Sequence, residues 1–123
     1  MLPEFHSKGW GYEAWIANNE KYCGKLLFFK KGKRCSLHYH KLKDETFYVH
    51  KGKLEIVYTI VPEGLNDFNS VWTLLTVKVL EPGDTFHVPV GMLHQMTGLE
   101  DTEMFEFSTQ HFEEDSYRVK KGD

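Results

Sequence analysis

A chain of 123 residues, of which 41% are hydrophobic and 15% aromatic, is long enough for one folded domain with a hydrophobic core. A net charge of −3 without a basic stripe argues against a nucleic-acid partner, and no apolar run is long enough to cross a membrane. The first residues lack the basic-then-apolar order of a signal peptide, so we expect a cytoplasmic domain in which Cys23 and Cys35 are reduced thiols.

The predicted elements are short strands separated by turns that contain Gly or Pro. In chain order they cover residues 12–17, 22–29, 34–40, 45–50, 54–61, 71–80, 85–88, 94–97 and 103–109. Their spacing of roughly eight to twelve residues predicts an all-β sandwich or barrel. Residues 62–70 form a turn-rich stretch, and we expect the polar tail, residues 113–123, to fray at its end. Without a linker, we predict a single domain over residues 1–123.

Four side chains on these strands are candidate metal ligands. His38 and His40 are two residues apart on a predicted strand, so both imidazoles project from the same face. Glu45 opens the next strand after a short turn and can return a carboxylate to that face, and His94 lies on a much later strand. Three imidazoles and one carboxylate suit one divalent manganese, iron, cobalt, nickel or zinc ion.

The glycines and the proline around these candidates form two motifs. The first covers residues 32–52 and the second residues 83–98, and their defining positions are Gly32, His38, His40, Glu45 and Gly52, followed by Gly83, Pro89, Gly91 and His94. This order and spacing resembles the two motifs of the cupin superfamily. The resemblance implies a cupin fold, which is a double-stranded β-helix or jelly-roll barrel, with one metal ion on the four candidates. Gly98 departs from the family pattern, which usually has Asn there.

Alternation along the strands predicts what else faces the metal. If Glu45 points inward, then Phe47 and Val49 do so too. Ser36 shares the face of His38 and His40, which places Cys35 on the opposite face and makes it a poor ligand. On the last long strand, Phe105 and Phe107 lie on one face and Met104, Glu106 and Ser108 on the other, and either face could point inward. The remaining histidines, His6, His50, His87 and His111, are expected to be solvated or packed.

A closer resemblance extends beyond the motifs, to the cupin domain of type II phosphomannose isomerases. It is carried by residues 8–13 (KGWGYE), 22–27 (YCGKLL), 32–37 (GKRCSL), 104–107 (MFEF) and 115–118 (DSYR). That family usually has Gln in place of His38, and His-His-Arg in place of Lys41-Leu-Lys43. The resemblance implies aldose–ketose isomerisation of a sugar or sugar phosphate.

Isomerisation needs a base beside the substrate carbonyl, and Glu45 and Glu106 are the candidate catalytic carboxylates. Lys41 and Lys43 are candidate anchors for a substrate phosphate. Two other functions fit the same metal ligands. One is an iron-dependent dioxygenase, and the other is a non-enzymatic sugar- or metal-binding module. In each case the partner is a small molecule.

The aromatic content predicts a homodimer. The chain has 9 Phe, 6 Tyr and 3 Trp, and residues 26–29 and 71–77 carry apolar groups on both faces of their strands. The outer faces therefore need cover, which a second copy or the N-terminal strand folding back would provide. Trp10 and Trp15 suit either arrangement.

Overall fold

Antiparallel strands make up most of the described part of the chain, which is residues 1–60 and 74–123 of this computed structural model. In chain order the strands are β1 (Glu4–Lys8), β2 (Gly11–Asn18), β3 (Cys23–Phe29), β4 (Leu37–Tyr39), β5 (Glu45–Lys51), β6 (Leu54–Ile60), β7 (Thr76–Leu80), β8 (Thr85–Val88), β9 (Met92–Gly98), β10 (Thr102–Ser108) and β11 (Tyr117–Lys120). One turn of 3-10 helix, Glu113–Asp115, precedes β11. Within the described residues, no helix has the length and apolar character that a membrane crossing requires.

The strands form two sheets whose inner faces share a core. The six-stranded sheet has the order β1-β2-β3-β10-β5-β8 and the five-stranded sheet the order β11-β4-β9-β6-β7. The core is one cluster of apolar side chains that draws on both sheets, among them Leu27, Phe29, Phe47, Val49, Leu54, Ile56, Leu80, Met96 and Met104. The predicted all-β architecture is therefore confirmed.

Alternation of side chains explains how the strands build this core. Along β5, Glu45, Phe47 and Val49 are buried while the residues between them are half-buried, as the sequence predicted. Along β3 the same period buries Lys25 together with Leu27 and Phe29. The inner face of the six-stranded sheet therefore carries charged groups at one end and apolar groups at the other.

The two ends of the described chain are strands that the sequence analysis missed. β1 pairs with β2 at the edge of one sheet, and β11 pairs with β4 at the edge of the other. The prediction that the tail frays is wrong, because the Asp123 amide donates to the Arg34 carbonyl at 2.9 Å and the Arg34 amide donates to Asp123 Oδ2 at 2.9 Å. Both strands are short and mostly polar, so their alternation gives no hydrophobic signal.

The segment before the first histidine also differs from its prediction. Regular strand begins only at Leu37, and Arg34 makes an isolated bridge to Thr97. Strand alternation therefore does not determine the direction of the Cys35 side chain, which is buried. The Cys35 amide donates to the Met96 carbonyl, and its Sγ accepts the Met96 amide. Burial raises the pKa of this thiol to about 12. The predictions for residues 61–73 lie outside the described residues.

The glycines of the two motifs occupy turns that need a left-handed backbone. Gly32, Gly52, Gly83 and Gly91 have φ values between 80° and 95°. At Gly52 space is also restrictive, because a Cβ there would collide with the Asp101 carbonyl and the Thr102 backbone. The turn between β5 and β6 therefore requires glycine for two independent reasons.

Candidate metal centre

Three imidazoles converge between β4 and β9. His38 on β4 lies directly opposite His94 on β9, and His40 follows β4. One ring nitrogen from each lies within 4.8 Å of the others, so the three could hold a single metal ion. The structure thus brings together three of the four predicted ligands, which are separated by up to 56 positions in the sequence.

Backbone carbonyls orient all three rings. Nδ1 of His38 lies 2.8 Å from the Ser36 oxygen, Nδ1 of His40 lies 2.9 Å from the Asp115 oxygen, and Nδ1 of His94 lies 3.0 Å from the Met92 oxygen. Because a carbonyl can only accept, each Nδ1 carries a proton, which leaves Nε2 of the neutral ring with a lone pair. This is the tautomer that a metal ligand needs.

Glu45 completes the cluster from the facing sheet. Its Oε2 lies 3.4 Å from Nε2 of His40 and 3.5 Å from Nε2 of His94. Oε2 of Glu45 and Nε2 of His94 are buried and have no hydrogen-bond partner among the described residues. Buried polar atoms without a partner are costly, and a cation between them would satisfy both.

The protonation states suit metal binding. Burial lowers the pKa of His38, and burial lowers that of His94 to about 4. Both imidazoles are therefore neutral at pH 7, so a metal ion would displace no proton from them. Imidazole nitrogens together with a carboxylate oxygen are donors that suit a divalent transition metal.

Asp115 fixes the loop that connects His40 to Glu45. Its carboxylate accepts the backbone amides of residues 41, 42 and 43 at 2.9 to 3.3 Å, while its carbonyl oxygen contacts His40. The side chain is only 2% exposed. Asp115 therefore sets the path of the chain between His40 and Glu45. Sequence reasoning noted it only within the resemblance of residues 115–118.

The four side chains open into a cavity of about 360 Å³ that contains further buried charges. Nζ of Lys43 lies 3.1 Å from Glu106 Oε2 and 3.6 Å from Glu45 Oε1. The Ser108 hydroxyl also donates to Glu106, at 2.9 Å. Burial alone would raise the pKa of Glu106, but the ammonium groups of Lys43 and Lys25 outweigh it and lower the pKa to about 2.

A second ion pair lies in the same cavity. Nζ of Lys25 is 3.3 Å from Glu13 Oε1 and sits 4.4 Å above the Trp15 ring. The Trp15 indole donates to the same Glu13 oxygen at 2.8 Å. Despite burial, which raises the pKa of Glu13, Lys25 holds it below its ordinary value. Both buried lysines are therefore already paired with carboxylates.

The structure separates the remaining predicted residues. Glu106 faces inward with Met104, which decides the face that the sequence left open. Lys43 lines the cavity, but Lys41 lies outside it, 4.4 Å above the Tyr117 ring, and its predicted contact with substrate does not fit this position.

His111, which no sequence pattern placed in the site and which we expected to be solvated or packed, lines the cavity. Its Nδ1 lies 3.0 Å from Nζ of Lys43, and burial and the Lys43 charge lower its pKa to about 4. No motif surrounds His111, so its position follows only from the tertiary structure. His87, by contrast, is exposed and paired with Asp44 at 2.9 Å.

Comparisons with known proteins agree with this architecture. The sequence profile of the Cupin family matches residues 24–119, so the chain belongs to the cupin family. No curated protein sequence matches it significantly.

Three solved structures share the fold. KdgF from Halomonas sp. is 19% identical with a TM-score of 0.70, over 90% of this chain and 91% of KdgF. The capsular polysaccharide assembling protein CapF from Staphylococcus aureus is 19% identical with a TM-score of 0.78, over 98% of this chain and 33% of CapF. A tryptophan-to-tyrosine variant of oxalate decarboxylase from Bacillus subtilis is 18% identical with a TM-score of 0.76, over 95% of this chain and 30% of that one. The chain thus spans about a third of the two larger proteins.

The first prediction concerns metal binding. The purified protein should hold close to one transition-metal ion per chain. Replacing His38, His40 or His94 by Ala should each weaken metal binding, because each change deletes a direct donor. The loss should exceed the roughly 10- to 100-fold that follows removal of a residue that only hydrogen-bonds to a metal ligand. Elemental analysis and competition with a chelator measure this. The control is His87→Ala, which should keep the metal; loss in this control with retention in His94→Ala would refute the assignment.

The second prediction concerns Asp115. Asp115→Ala leaves three backbone amides without their acceptor, so the free energy of unfolding of the metal-free protein should fall by about 2–4 kcal/mol. Metal affinity should also fall by about tenfold or more, because the loop that carries His40 loosens. Asp44→Ala, on the same loop but in an exposed contact with His87, should change stability by less than about 1 kcal/mol. Equal effects of the two changes in urea unfolding would contradict the role of Asp115.

Proposed function

We propose that this protein is a metal-dependent cupin that interconverts the aldose and ketose forms of a sugar or sugar phosphate, as type II phosphomannose isomerases do. The observation that supports this most is the pair formed by Lys43 and Glu106, which lies in the same cavity as the three histidines and contacts Glu45. Proton transfer beside a carbonyl needs an acid–base group next to a site for the carbonyl oxygen. The cavity offers both.

His38, His40, His94 and Glu45 would hold the metal. A divalent transition metal bound there would act as a Lewis acid and polarise a substrate carbonyl. The cavity walls supply burial, which excludes water and strengthens every electrostatic contact inside.

The two carboxylates have different parts in this proposal. Oε2 of Glu45 faces the imidazoles, so this carboxylate would bind the metal, which makes it a weaker base. Glu106 contacts no metal-binding imidazole and is ionised, so it is the carboxylate that would take a proton from carbon, although its contacts with Lys43 and Ser108 lower its basicity. Lys43 touches both carboxylates, and Glu106 and Glu45 raise its pKa against the opposing effect of burial. It therefore stays protonated and can donate a hydrogen bond to a developing oxygen anion.

The third prediction tests this chemistry. The metal-loaded protein should exchange a carbon-bound hydrogen of an aldose or ketose phosphate with solvent, as followed by NMR in deuterated water. Glu106→Gln should abolish exchange with the metal retained, since an amide cannot act as a base. Glu45→Gln should lower exchange for a different reason, because it weakens metal binding. Glu103→Gln, on the outer face of the same strand as Glu106, is the matched control and should retain exchange.

Other outcomes of this experiment would replace the proposal. Full exchange in both Glu106→Gln and Glu45→Gln would remove the two carboxylates from the mechanism. Oxygen consumption by the iron-loaded protein would favour a dioxygenase. Absence of exchange and turnover over a broad sugar-phosphate panel, combined with tight ligand binding, would favour a binding module.

We also propose that the protein is a homodimer. The outer face of the six-stranded sheet carries a band of aromatic rings across neighbouring strands, formed by Phe5, Tyr12, Phe28, Phe105 and Phe107. Phe5 and Phe107 are 66% and 57% exposed. Among the described residues the N-terminal strand does not cover this band, because β1 extends the sheet edge, and Trp10 and Trp15 line the cavity instead. A second copy would bury this band.

The fourth prediction follows from that band. Sedimentation equilibrium at micromolar concentration should give twice the 14.4 kDa mass of one chain. Phe107→Lys should yield the monomer with its metal content intact, because the side chain points away from the cavity. Val77→Lys, at an equally exposed position of the other sheet, should leave the dimer intact. A mass near 14.4 kDa for the unmodified protein would refute the dimer.

A further inference from the structure

Three cationic side chains stand at the rim of the cavity that holds the histidines. Lys8, Arg118 and Lys121 line this cavity and are exposed. No carboxylate in residues 1–60 or 74–123 makes an ion pair with any of them. They differ in this from Lys25 and Lys43, whose charges are paired with Glu13 and Glu106 deeper in the cavity.

Strand pairing directs Arg118 toward the metal site. β11 pairs with β4 so that Arg118 lies directly opposite His38. Residues directly opposite one another in an antiparallel pair project from the same face of the sheet. The guanidinium therefore leaves the backbone on the same side as the His38 imidazole, with its end in solvent at the rim.

The segments that carry the two lysines are fixed in place. Asp123 exchanges hydrogen bonds with Arg34, both at 2.9 Å. Gly122 lies so close to the backbone of Cys35 and Ser36 that a Cβ would collide with it, and Gly9 lies as close to the Asp123 backbone. The turn after Lys8 and the chain after Lys121 therefore meet at one side of the rim. Because the backbone beneath these cations is already ordered, binding an anion would restrict only their side chains.

With a divalent ion on the histidines, the charges of the cavity would favour an anionic ligand. Its lining has five cationic side chains and five carboxylates. Glu13 and Glu106 are matched by buried lysines, and Glu45 faces the imidazoles. Asp123 accepts the Arg34 amide on its carboxylate, and the fifth carboxylate, Glu113, is exposed at the rim and offsets one of the three cationic charges there. A divalent ion on the histidines would add positive charge to this balance.

We infer that Arg118, assisted by Lys121 and Lys8, binds an anionic group of the substrate while the other end of the substrate reaches the metal. The inference rests on the proposed function in assuming a sugar-like ligand, and it names the class as a sugar bearing a phosphate or a carboxylate. The planar guanidinium can donate two parallel hydrogen bonds to either group. Arg118 replaces Lys41 and Lys43 as anchor, since Lys41 lies outside the cavity and Lys43 is paired.

Calorimetric titration of the manganese-loaded protein tests this inference. The probes are D-mannose, D-mannose 6-phosphate and D-glucuronate at low ionic strength. At least one anionic sugar should bind about tenfold or more tightly than mannose, and Arg118→Gln should remove about tenfold of that preference. Binding of mannose and metal content should not change. Comparison of the affinities for D-mannose 6-phosphate and D-glucuronate shows whether the rim prefers a phosphate or a carboxylate.

Lys41→Gln is the matched control, because it removes one positive charge from a neighbouring surface outside the cavity. It should leave the preference intact. Equal loss in Arg118→Gln and Lys41→Gln would overturn the subsite, as would equal affinity for charged and neutral sugars or failure of every anionic sugar to bind.

The outcome is distinguishable from failure of the proposed function. A charge preference that depends on Arg118, without hydrogen exchange, would reject the isomerase and keep the subsite. If the protein catalyses hydrogen exchange and Arg118→Gln leaves the KM for the sugar phosphate unchanged, the subsite is rejected and the isomerase proposal stands.

Discussion

The pairing of β4 with β9 is the constraint on which the site depends. This pairing sets His38 opposite His94, and the residue two positions beyond His38 adds the third imidazole. A shift of one residue in this register would turn both histidines of this segment to the other face of the sheet. β4 has only three residues, so the contacts on its other edge matter. β11 supplies them, and Asp115 just before β11 holds the loop that follows His40.

The cavity shows how a small barrel tolerates many buried charges. Lys25, Lys43, Glu45 and Glu106 are each less than 5% exposed. Isolated charges at such positions would be very unfavourable. Lys25 and Lys43 each lie beside a carboxylate, and Glu45 and Glu106 both lie beside Lys43. The cost is thereby reduced rather than removed, and Lys43 and Glu106, whose pKa values are raised and lowered respectively, stay ionised at neutral pH. One end of the inner face is thus available for chemistry while the apolar end, with Phe29, Phe47 and Val49, stabilises the fold.

Much of the architecture could be predicted from local patterns. Motif glycines marked turns with positive φ, and alternation predicted that Glu45, Phe47 and Val49 share the inner face. The pattern failed where the backbone leaves regular strand, as at Cys35, because alternation holds only within a strand. It also failed for β1 and β11, which lie at sheet edges, where polar residues are tolerated and no hydrophobic period marks the strand.

The sequence by itself determined the all-β class, the family resemblance and the four candidate ligands, because these depend on residue types at fixed short spacings. Only the tertiary structure decided which face of β10 points inward, that Lys43 enters the cavity while Lys41 does not, and that His111, Asp115 and Arg118 lie near the histidines. These relations join residues up to 80 positions apart, such as His38 and Arg118. Long-range strand pairing sets them, and a local pattern carries no information about which distant strand will be the partner.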